Sequence, residues 1–280
     1  EFRRVLFRSR VLVFSKTAGF RHKSIPEGIA AIKDIGAGRW SVDATEDAGA
    51  FTADNLHRYR AVVFLSTTGN VLDDAQQSAL EGFVRAGGGW VGVHAAADTE
   101  YDWPWYGKLV GAWFKGHPRI QEATERVEDR THRSTRMLPA DWRRTDEWYS
   151  FRSDPRNDVH VLAALDERSY DPEKTPMGAD HPIAWCHAFD GGRAWYTALG
   201  HTAESYADPL FRQHLREGIA WSMDLPDMDS GAAPVPPAAP SKPAARTGAA
   251  SRILADAPPT LAAAPTSVVL GAVTLAIAIV

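Results

Sequence analysis

The stretch GGGWVGVHAAAD, residues 87–98, carries the clearest structural pattern in the chain. Its three leading glycines favour the end of a helix, and Trp90-Val91-Gly92-Val93 is an apolar run typical of a buried strand. His94 follows directly, at the sharp turn where nucleophile elbows expose a reactive side chain. A histidine at this turn predicts acid, base or metal-ligand chemistry, and it does not supply the thiolate of a cysteine nucleophile.

The same alternation of strand and helix continues towards the amino terminus. Helices are predicted over 25–35, with Ser24 as N-cap and Pro26 in the first turn, and over 75–84, with Asp73 or Asp74 as N-cap. Further apolar strands are predicted at 10–15, 40–45 and 61–65. Continuous apolar strands alternating with amphipathic helices indicate a doubly wound, mostly parallel sheet of the α/β class.

The pattern changes beyond Ala97. Strands are predicted at 159–163, 183–189 and 193–199, and a closing helix at 209–221. Asp190-Gly191-Gly192 is a tight-turn signal between the last two strands, so we expect an antiparallel hairpin extension of the sheet.

Composition narrows the class of protein. The chain has 280 residues, of which 44% are hydrophobic and 24% charged, as in a soluble globular protein with one large core. With Lys+Arg 31 against Asp+Glu 35, nucleic acid is not an expected partner. The single cysteine, Cys186, excludes an internal disulfide, and its apolar neighbours indicate a core position.

Four segments are expected along the chain. Residues 1–9 are interpreted as a leader, 10–225 as the folded domain, 226–264 as a Pro/Ala-rich linker and 265–280 as an apolar tail. The tail is shorter than the roughly 20 residues that a spanning helix needs. It is therefore interpreted either as a truncated membrane anchor, through which the chain attaches to a membrane, or as a low-complexity tail.

Three histidines follow predicted strands. His22, His94 and His201 come after the first strand, the fourth strand and the hairpin, and Asp98 lies one helical turn beyond His94. Ligands of open α/β sheets bind at the carboxyl ends of the strands, so we expect the three imidazoles to share one rim. For His201 this holds only if the strand ending at Leu199 runs parallel to the main sheet.

Other polar and aromatic residues are candidate substrate contacts. Flat aromatic faces beside carboxylates suit sugar rings, as in the segments 101–106 and 146–149, whereas Trp90, Trp185 and Trp195 lie within strands and are expected in the core. The two His-Pro steps, His117-Pro118 and His181-Pro182, either frame the pocket or only form turns. The predicted substrate-binding residues are Thr67, Thr68, Trp103, Trp105, His117, Tyr149 and His181.

Several of these blocks resemble the ThuA-like family, which is associated with trehalose utilisation. The resemblance spans about 11–223 and rests on the segments 19–22, 64–69, 87–98, 114–118, 145–149, 181–185 and 199–201. It implies a flavodoxin- or class I glutamine amidotransferase-like fold without the catalytic cysteine. It also implies activity on keto-sugars or related disaccharides, a catalytic role for Glu147, and an extracellular or cell-surface location like that of secreted members.

Two functions are therefore expected, with a small-molecule carbohydrate as the partner of either. The first is an enzyme that isomerises, eliminates from or cleaves a keto-sugar or disaccharide by histidine acid–base chemistry. The second is a non-catalytic carbohydrate-binding domain tethered to the cell surface. An amidotransferase-like hydrolase is disfavoured by the missing elbow cysteine.

The cofactor is left open by the sequence. A divalent metal such as zinc and a metal-free acid–base cluster both fit the three histidines, and the absence of an HxxxH or HxH pair favours the metal-free cluster. No nucleotide cofactor is expected, because the triple glycine precedes its strand and no Lys-Ser/Thr follows.

Overall fold

The computed structural model describes residues 9–227. Of the expected leader only Ser9 lies in this range, and of the expected linker only Pro226 and Asp227. The apolar tail, 265–280, lies outside the described residues. Within 9–227, no helix combines the length and the apolar character needed to cross a membrane.

Helices and strands alternate through the first half of the chain, and strands dominate the second. The strands are β1 (Ser9–Phe14), β2 (Trp40–Thr45), β3 (Ala61–Leu65), β4 (Gly89–Val93), β5 (Phe114–Gly116), β6 (Gln121–Val127), β7 (Asp141–Asp146), β8 (Ser150–Phe151), β9 (His160–Leu165), β10 (Pro182–Phe189) and β11 (Gly192–Thr197). The α-helices are α1 (Ile25–Ile35), α2 (Ala53–Leu56), α3 (Asp74–Arg85), α4 (Pro104–Val110), α5 (Ala203–Ala207) and α6 (Pro209–Ser222).

The central sheet has nine strands in the order β2-β1-β3-β4-β11-β10-β9-β6-β7. From β2 to β11 all neighbours are parallel, and from β11 to β7 all neighbours are antiparallel. The predicted α/β class, with a mostly parallel sheet and an antiparallel hairpin extension, is therefore confirmed. Because β11 is parallel to β4, His201 follows a strand that ends at the same sheet edge as β4.

The antiparallel half brings further loops to this edge. β7 and β9 run in the direction of the parallel strands, whereas β6 and β10 run against it. Glu147, which follows β7, and the residues that precede β6 and β10 therefore lie at the edge where β4 ends. We call this edge, with the loops after β1, β4, β7 and β11 and before β6 and β10, the carboxyl edge.

The glycines of the 87–98 stretch have separate structural reasons. Gly87 has φ +94 and ends the α3 turn, a conformation that glycine adopts without the cost of a Cβ. A Cβ on Gly89 would stand 2.4 Å from the carbonyl oxygen of Ser222, so only glycine lets α6 pack this closely on β4. His94 has φ 53, a left-handed conformation that makes the turn after β4 sharp.

Helix capping follows the prediction at one helix only. The Asp73 side chain accepts a hydrogen bond from the backbone N–H of Gln76 in a reciprocal capping box, which confirms Asp73 as the N-cap of α3. Ser24 occupies the N-cap position of α1 but makes no side-chain cap. Its hydroxyl instead donates to the Gly200 carbonyl at 3.2 Å, and this bond ties the loop after β1 to the loop after β11.

Strands β6 and β7 were missed by the sequence reasoning because charged residues occupy inward-facing positions. In β7 the buried residues alternate as Trp142, Arg144 and Asp146. In β6 the buried series Ala123, Glu125 and Val127 also includes a carboxyl group. When charged residues occupy the buried face of a strand, its sequence no longer alternates between apolar and polar residues, and the strand is not predicted.

The predicted core residues are buried as expected. Trp90, Trp185 and Trp195 are fully enclosed within the sheet layers. Cys186 is free and buried, and burial raises the pKa of its thiol to about 12, so it is a core side chain and not a thiolate nucleophile.

Candidate functional site

Three histidines meet at the carboxyl edge. His22 lies in the loop after β1, His94 in the turn after β4 and His201 in the loop after β11. Their ring centroids are 4.7 Å apart for His22 and His94, and 5.1 Å apart for each of the other two pairs. The parallel direction of the three strands brings together residues that are up to 179 positions apart in the sequence.

His94 is held in one orientation by the main chain. Its Nδ1 lies 2.7 Å from the Ala198 carbonyl oxygen, so Nδ1–H donates there and Nε2 carries the free lone pair. The Tyr196 hydroxyl donates to the His94 carbonyl at 2.8 Å, and the Tyr149 ring packs at 4.2 Å from the imidazole. A histidine whose outer nitrogen bonds a carbonyl presents its inner nitrogen as a metal ligand does.

Glu147 lies at the centre of the imidazoles. Its Oε2 is 3.0 Å from Nδ1 of His201 and 3.4 Å from Nε2 of His94, and these two nitrogens are themselves 3.1 Å apart. Its Oε1 is 3.2 Å from Nδ1 of His117. Burial raises the pKa of Glu147, but its contacts with His201 and His94 outweigh burial and hold the pKa below its usual range, so the carboxylate is ionised.

His22 completes the group from the opposite loop. It is buried, and its Nδ1 has no hydrogen-bond partner among residues 9–227. Burial first, and the neighbouring His94 and His201 next, lower the pKa of His22 to about 3, so the ring is neutral. His201 differs because its bond with Glu147 raises its pKa against the lowering effect of burial.

The geometry of these side chains fits a metal ion. One ligand atom from each of His22, His94, Glu147 and His201 lies within 4.8 Å of all the others. Metal bonds of about 2.0–2.1 Å in a tetrahedron separate ligand atoms by about 3.3–3.4 Å. The spacings of 3.0–3.4 Å among His94, His201 and Glu147 are close to this value. We call these four residues the His–Glu cluster.

Three other predicted substrate contacts lie beside the cluster. The His117 side chain is 41% exposed and stacks on Phe114, and the buried Tyr149 lies against both Phe114 and His94. His181 is fully buried, and its Nε2 donates to the Tyr149 carbonyl while its Nδ1 lies 2.9 Å from Glu167. His181 therefore supports the Tyr149 backbone and has no exposed surface for a sugar.

The predicted polar residues after β3 and β4 have structural partners. Thr67 is buried and shares a hydrogen bond with Thr99. Thr68 donates to the Phe20 carbonyl. Asp98 accepts from the Tyr101 hydroxyl at 2.6 Å, and burial raises its pKa. Asp98 is partly exposed near His94 but does not belong to the His–Glu cluster.

The two predicted pocket tryptophans lie elsewhere. Trp105 stacks on Trp103, contacts Phe189 and donates to the Asp190 carboxylate at 2.9 Å, and Trp103 donates to Glu81. Asp190 is in the turn before β11, so this pair lies at the amino ends of the parallel strands. Both rings lie at the start of α4, on the side of the sheet away from the His–Glu cluster.

Phe20 is a rim residue that the sequence reasoning missed. Its side chain is 65% exposed and stands edge-to-face to His22 at 4.9 Å. The Thr68 hydroxyl donates to its carbonyl, and the neighbouring Gly19 N–H donates to Thr68. These bonds hold an apolar ring in water beside the cluster, and the signal available in the sequence was its place two residues before His22.

Comparison with known proteins identifies the family. The trehalose-utilisation family ThuA matches residues 10–222. The chain belongs to the ThuA family. No curated protein matches the chain.

Two solved ThuA-like structures share the fold of this ThuA protein. One, from Bacteroides uniformis, is 27% identical with a TM-score of 0.67, and the match covers 77% of this chain and 91% of that one. The other, from Parabacteroides merdae, is 20% identical with a TM-score of 0.65, covering 77% and 90%. A β-galactosidase from Bacillus circulans sp. alkalophilus has a TM-score of 0.52 at 13% identity, covering 78% of this chain and 31% of its own, which is a likeness of fold alone.

Proposed function

We propose that this ThuA protein is a metal-dependent enzyme that acts on a keto-sugar derived from a trehalose-like disaccharide by acid–base chemistry. The observation that carries the proposal is the His–Glu cluster, in which four ligand atoms from four separate loops lie within 4.8 Å of one another. Neutral imidazoles with one carboxylate suit a divalent transition metal such as zinc. Sequence spacing alone favours a metal-free cluster, but ligands that come from separate loops carry no spacing signature.

The protonation of the cluster supports a cation at its centre. His22 is neutral and its buried Nδ1 has no hydrogen-bond partner in the described part of the chain, while the Nδ1–H of His94 donates to the Ala198 carbonyl. The Nε2 lone pair of His94 therefore faces the ionised Glu147 carboxylate. Lone pairs and a carboxylate that point at one centre repel each other unless a proton or a cation lies between them. A bound divalent cation would polarise a sugar carbonyl oxygen at this place.

His117 is the side chain best placed to move a proton. Its Nδ1 contacts only acceptors, the Pro118 carbonyl at 2.9 Å and Glu147 Oε1 at 3.2 Å, so Nδ1 carries the hydrogen and Nε2 the lone pair. The His117 ring is 41% exposed, more than any ring of the cluster, of which His201 is the most exposed at 20%. A carbonyl acidifies the adjacent sugar C–H, so Nε2 would take that proton while the electron pair moves to the carbonyl oxygen.

The substrate class is supported by the family and by the rim. The ThuA family is associated with trehalose utilisation. Phe20 offers an exposed apolar ring beside His22, and the C–H face of a pyranose packs on such a ring. Isomerisation, elimination and glycosidic cleavage of the keto-sugar all begin with this proton transfer, so the proposal covers all three reactions.

Turnover and metal dependence test the proposal together. The purified protein is stripped with a chelator, reloaded separately with zinc, manganese or iron(II), and incubated with 3-keto-trehalose and with trehalose. We expect conversion of the keto-sugar only, and only in a metal-loaded sample.

Two results would contradict parts of this proposal. Equal conversion by stripped and loaded protein would assign the chemistry to a metal-free acid–base cluster. Binding of either sugar without conversion under every metal would assign the domain to carbohydrate binding.

A further inference from the structure

Asp146 is a buried carboxylate that joins two loops of the cluster. It ends β7 and has no solvent exposure. Its Oδ1 accepts from the backbone N–H of Glu147 at 2.9 Å and from that of His201 at 3.1 Å. Its Oδ2 accepts from the Gly200 N–H at 3.0 Å and from the Ser205 hydroxyl at 2.9 Å. One carboxylate thus holds the main chain of two members of the His–Glu cluster.

Only a group with two accepting oxygens satisfies these contacts. Every partner of Asp146 is a donor, including the Arg144 guanidinium at 3.2 Å from Oδ2. A carboxylate accepts at both oxygens, whereas an amide would turn an NH₂ group towards N–H or O–H donors on one side. The full burial of Asp146 also excludes the direct sugar contact that a carboxylate beside Tyr149 suggests from the sequence.

Arg144 supplies the countercharge in a fixed position. Its guanidinium lies 4.6 Å from the ring of Trp142 and 5.1 Å from that of Phe211, and it donates to Ser205 at 2.8 Å. Glu125 is the other buried carboxyl nearby, 4.0 Å from Arg144. Burial raises the pKa of Glu125 to about 8, so this group is mainly protonated at neutral pH. The other carboxyl groups in contact with the guanidinium are Asp146 and the partly exposed Asp208, whose Oδ2 lies 3.5 Å from it.

We propose that Asp146 is a positioning residue that sets the spacing between the Glu147 carboxylate and the His201 imidazole, with Arg144 as its countercharge. Outer groups that orient ligands commonly change metal affinity by about 10–100-fold when they are removed. The inference rests on the proposed metal function for its main readout. The positions of the two side chains are a property of the fold and can be measured without a metal.

The test compares two buried, ion-paired carboxylates. Asp146→Asn is measured against Glu217→Gln, because Glu217 is equally enclosed and pairs with Arg133 and Arg39 away from the cluster. Zinc affinity of the stripped proteins is measured by competition with a chromophoric chelator. We expect both variants to melt at a lower temperature and only Asp146→Asn to bind zinc at least about tenfold more weakly.

A second readout separates the two proposals. Imidazole ¹H–¹⁵N NMR signals of the metal-free proteins report the environment of His201, and we expect Asp146→Asn but not Glu217→Gln to shift them. If the wild-type protein binds no zinc, manganese or iron(II), the metal function fails, and the NMR comparison alone judges the positioning role.

The positioning role is overturned if Asp146→Asn leaves both zinc affinity and the His201 signals as in the wild type. It is also overturned if Glu217→Gln changes them equally. If Asp146→Asn does not fold, Ser205→Ala removes one donor to Oδ2 and replaces it in the test. We then expect a smaller weakening of zinc binding together with a shift of the His201 signals, and an unchanged variant contradicts the role.

Discussion

The two edges of the parallel sheet carry similar residue types in different roles. At the carboxyl edge, histidines, Glu147 and Phe20 leave lone pairs and an exposed ring around one point. At the amino edge, Trp103, Trp105 and Asp190 use their polar atoms on one another and on neighbouring helices. The direction of the strands, more than the kind of residue, therefore determines whether these side chains form a site or pack against one another.

The largest effect is expected from His94. His94→Asn introduces a residue that tolerates the positive φ of this position but lacks the Nε2 ligand. We therefore expect zinc binding to be lost and turnover to fall at least about 100-fold, roughly 2.7 kcal/mol. His214→Gln is the matched control, because His214 is also a buried histidine that donates from Nδ1 to a carbonyl, but it lies in α6. We expect the control to lower the melting temperature and leave zinc binding intact; equal loss of zinc in both variants would break the comparison between regions.

A smaller and different effect is expected from His117. His117→Gln removes the proposed base but no member of the His–Glu cluster, so turnover should fall about 100-fold or more while zinc affinity stays within a few-fold of the wild type. Steady-state kinetics and the chelator competition measure the two quantities on the same samples. Turnover unchanged in this variant would remove His117 from the chemistry and leave the base to be sought at Asp98.

The smallest effects are expected from the aromatic rings of the two edges. Phe20→Ala should raise KM for the keto-sugar about three- to tenfold with little change in kcat, because it removes a stacking contact worth about 1 kcal/mol. Phe20→Trp keeps an aromatic ring at this position and should leave KM near the wild-type value. Trp105→Ala should lower stability by about 1–2 kcal/mol and leave both kinetic constants unchanged, since its contacts are with Trp103, Phe189 and Asp190. A raised KM in Trp105→Ala alone would reverse the assignment of the two edges.

Strand direction also explains how much the sequence could predict. The strand–helix alternation up to Ala97 and the Asp190-Gly191 turn were sufficient for the parallel half, the hairpin and the expected convergence of His22, His94 and His201. The position of Glu147 could be suggested only by family resemblance, because β7 carries Arg144 and Asp146 on its buried face and has no apolar alternation.

The remaining parts of the site depend on contacts that no local pattern encodes. Trp103 and Trp105 are expected beside the pocket because they follow the His94 turn, but at the start of α4 they pack near Phe189 and Asp190 at the opposite edge. The sequence places Asp146 among the carboxylates beside aromatic rings that suit a sugar, whereas its buried oxygens accept from donors in the loop after β11. Long-range pairing of this kind is visible only in three dimensions.

Anomalous diffraction is the most direct measurement of whether the His–Glu cluster binds a divalent cation. Crystals of stripped protein soaked with zinc would be measured on both sides of the zinc absorption edge. We expect one strong peak about 2.0–2.2 Å from His94 Nε2, His201 Nδ1 and a Glu147 oxygen, with His22 facing it. Electron density in which these side chains are hydrogen-bonded to one another, with no anomalous peak among them at saturating zinc, would contradict cation binding by the cluster.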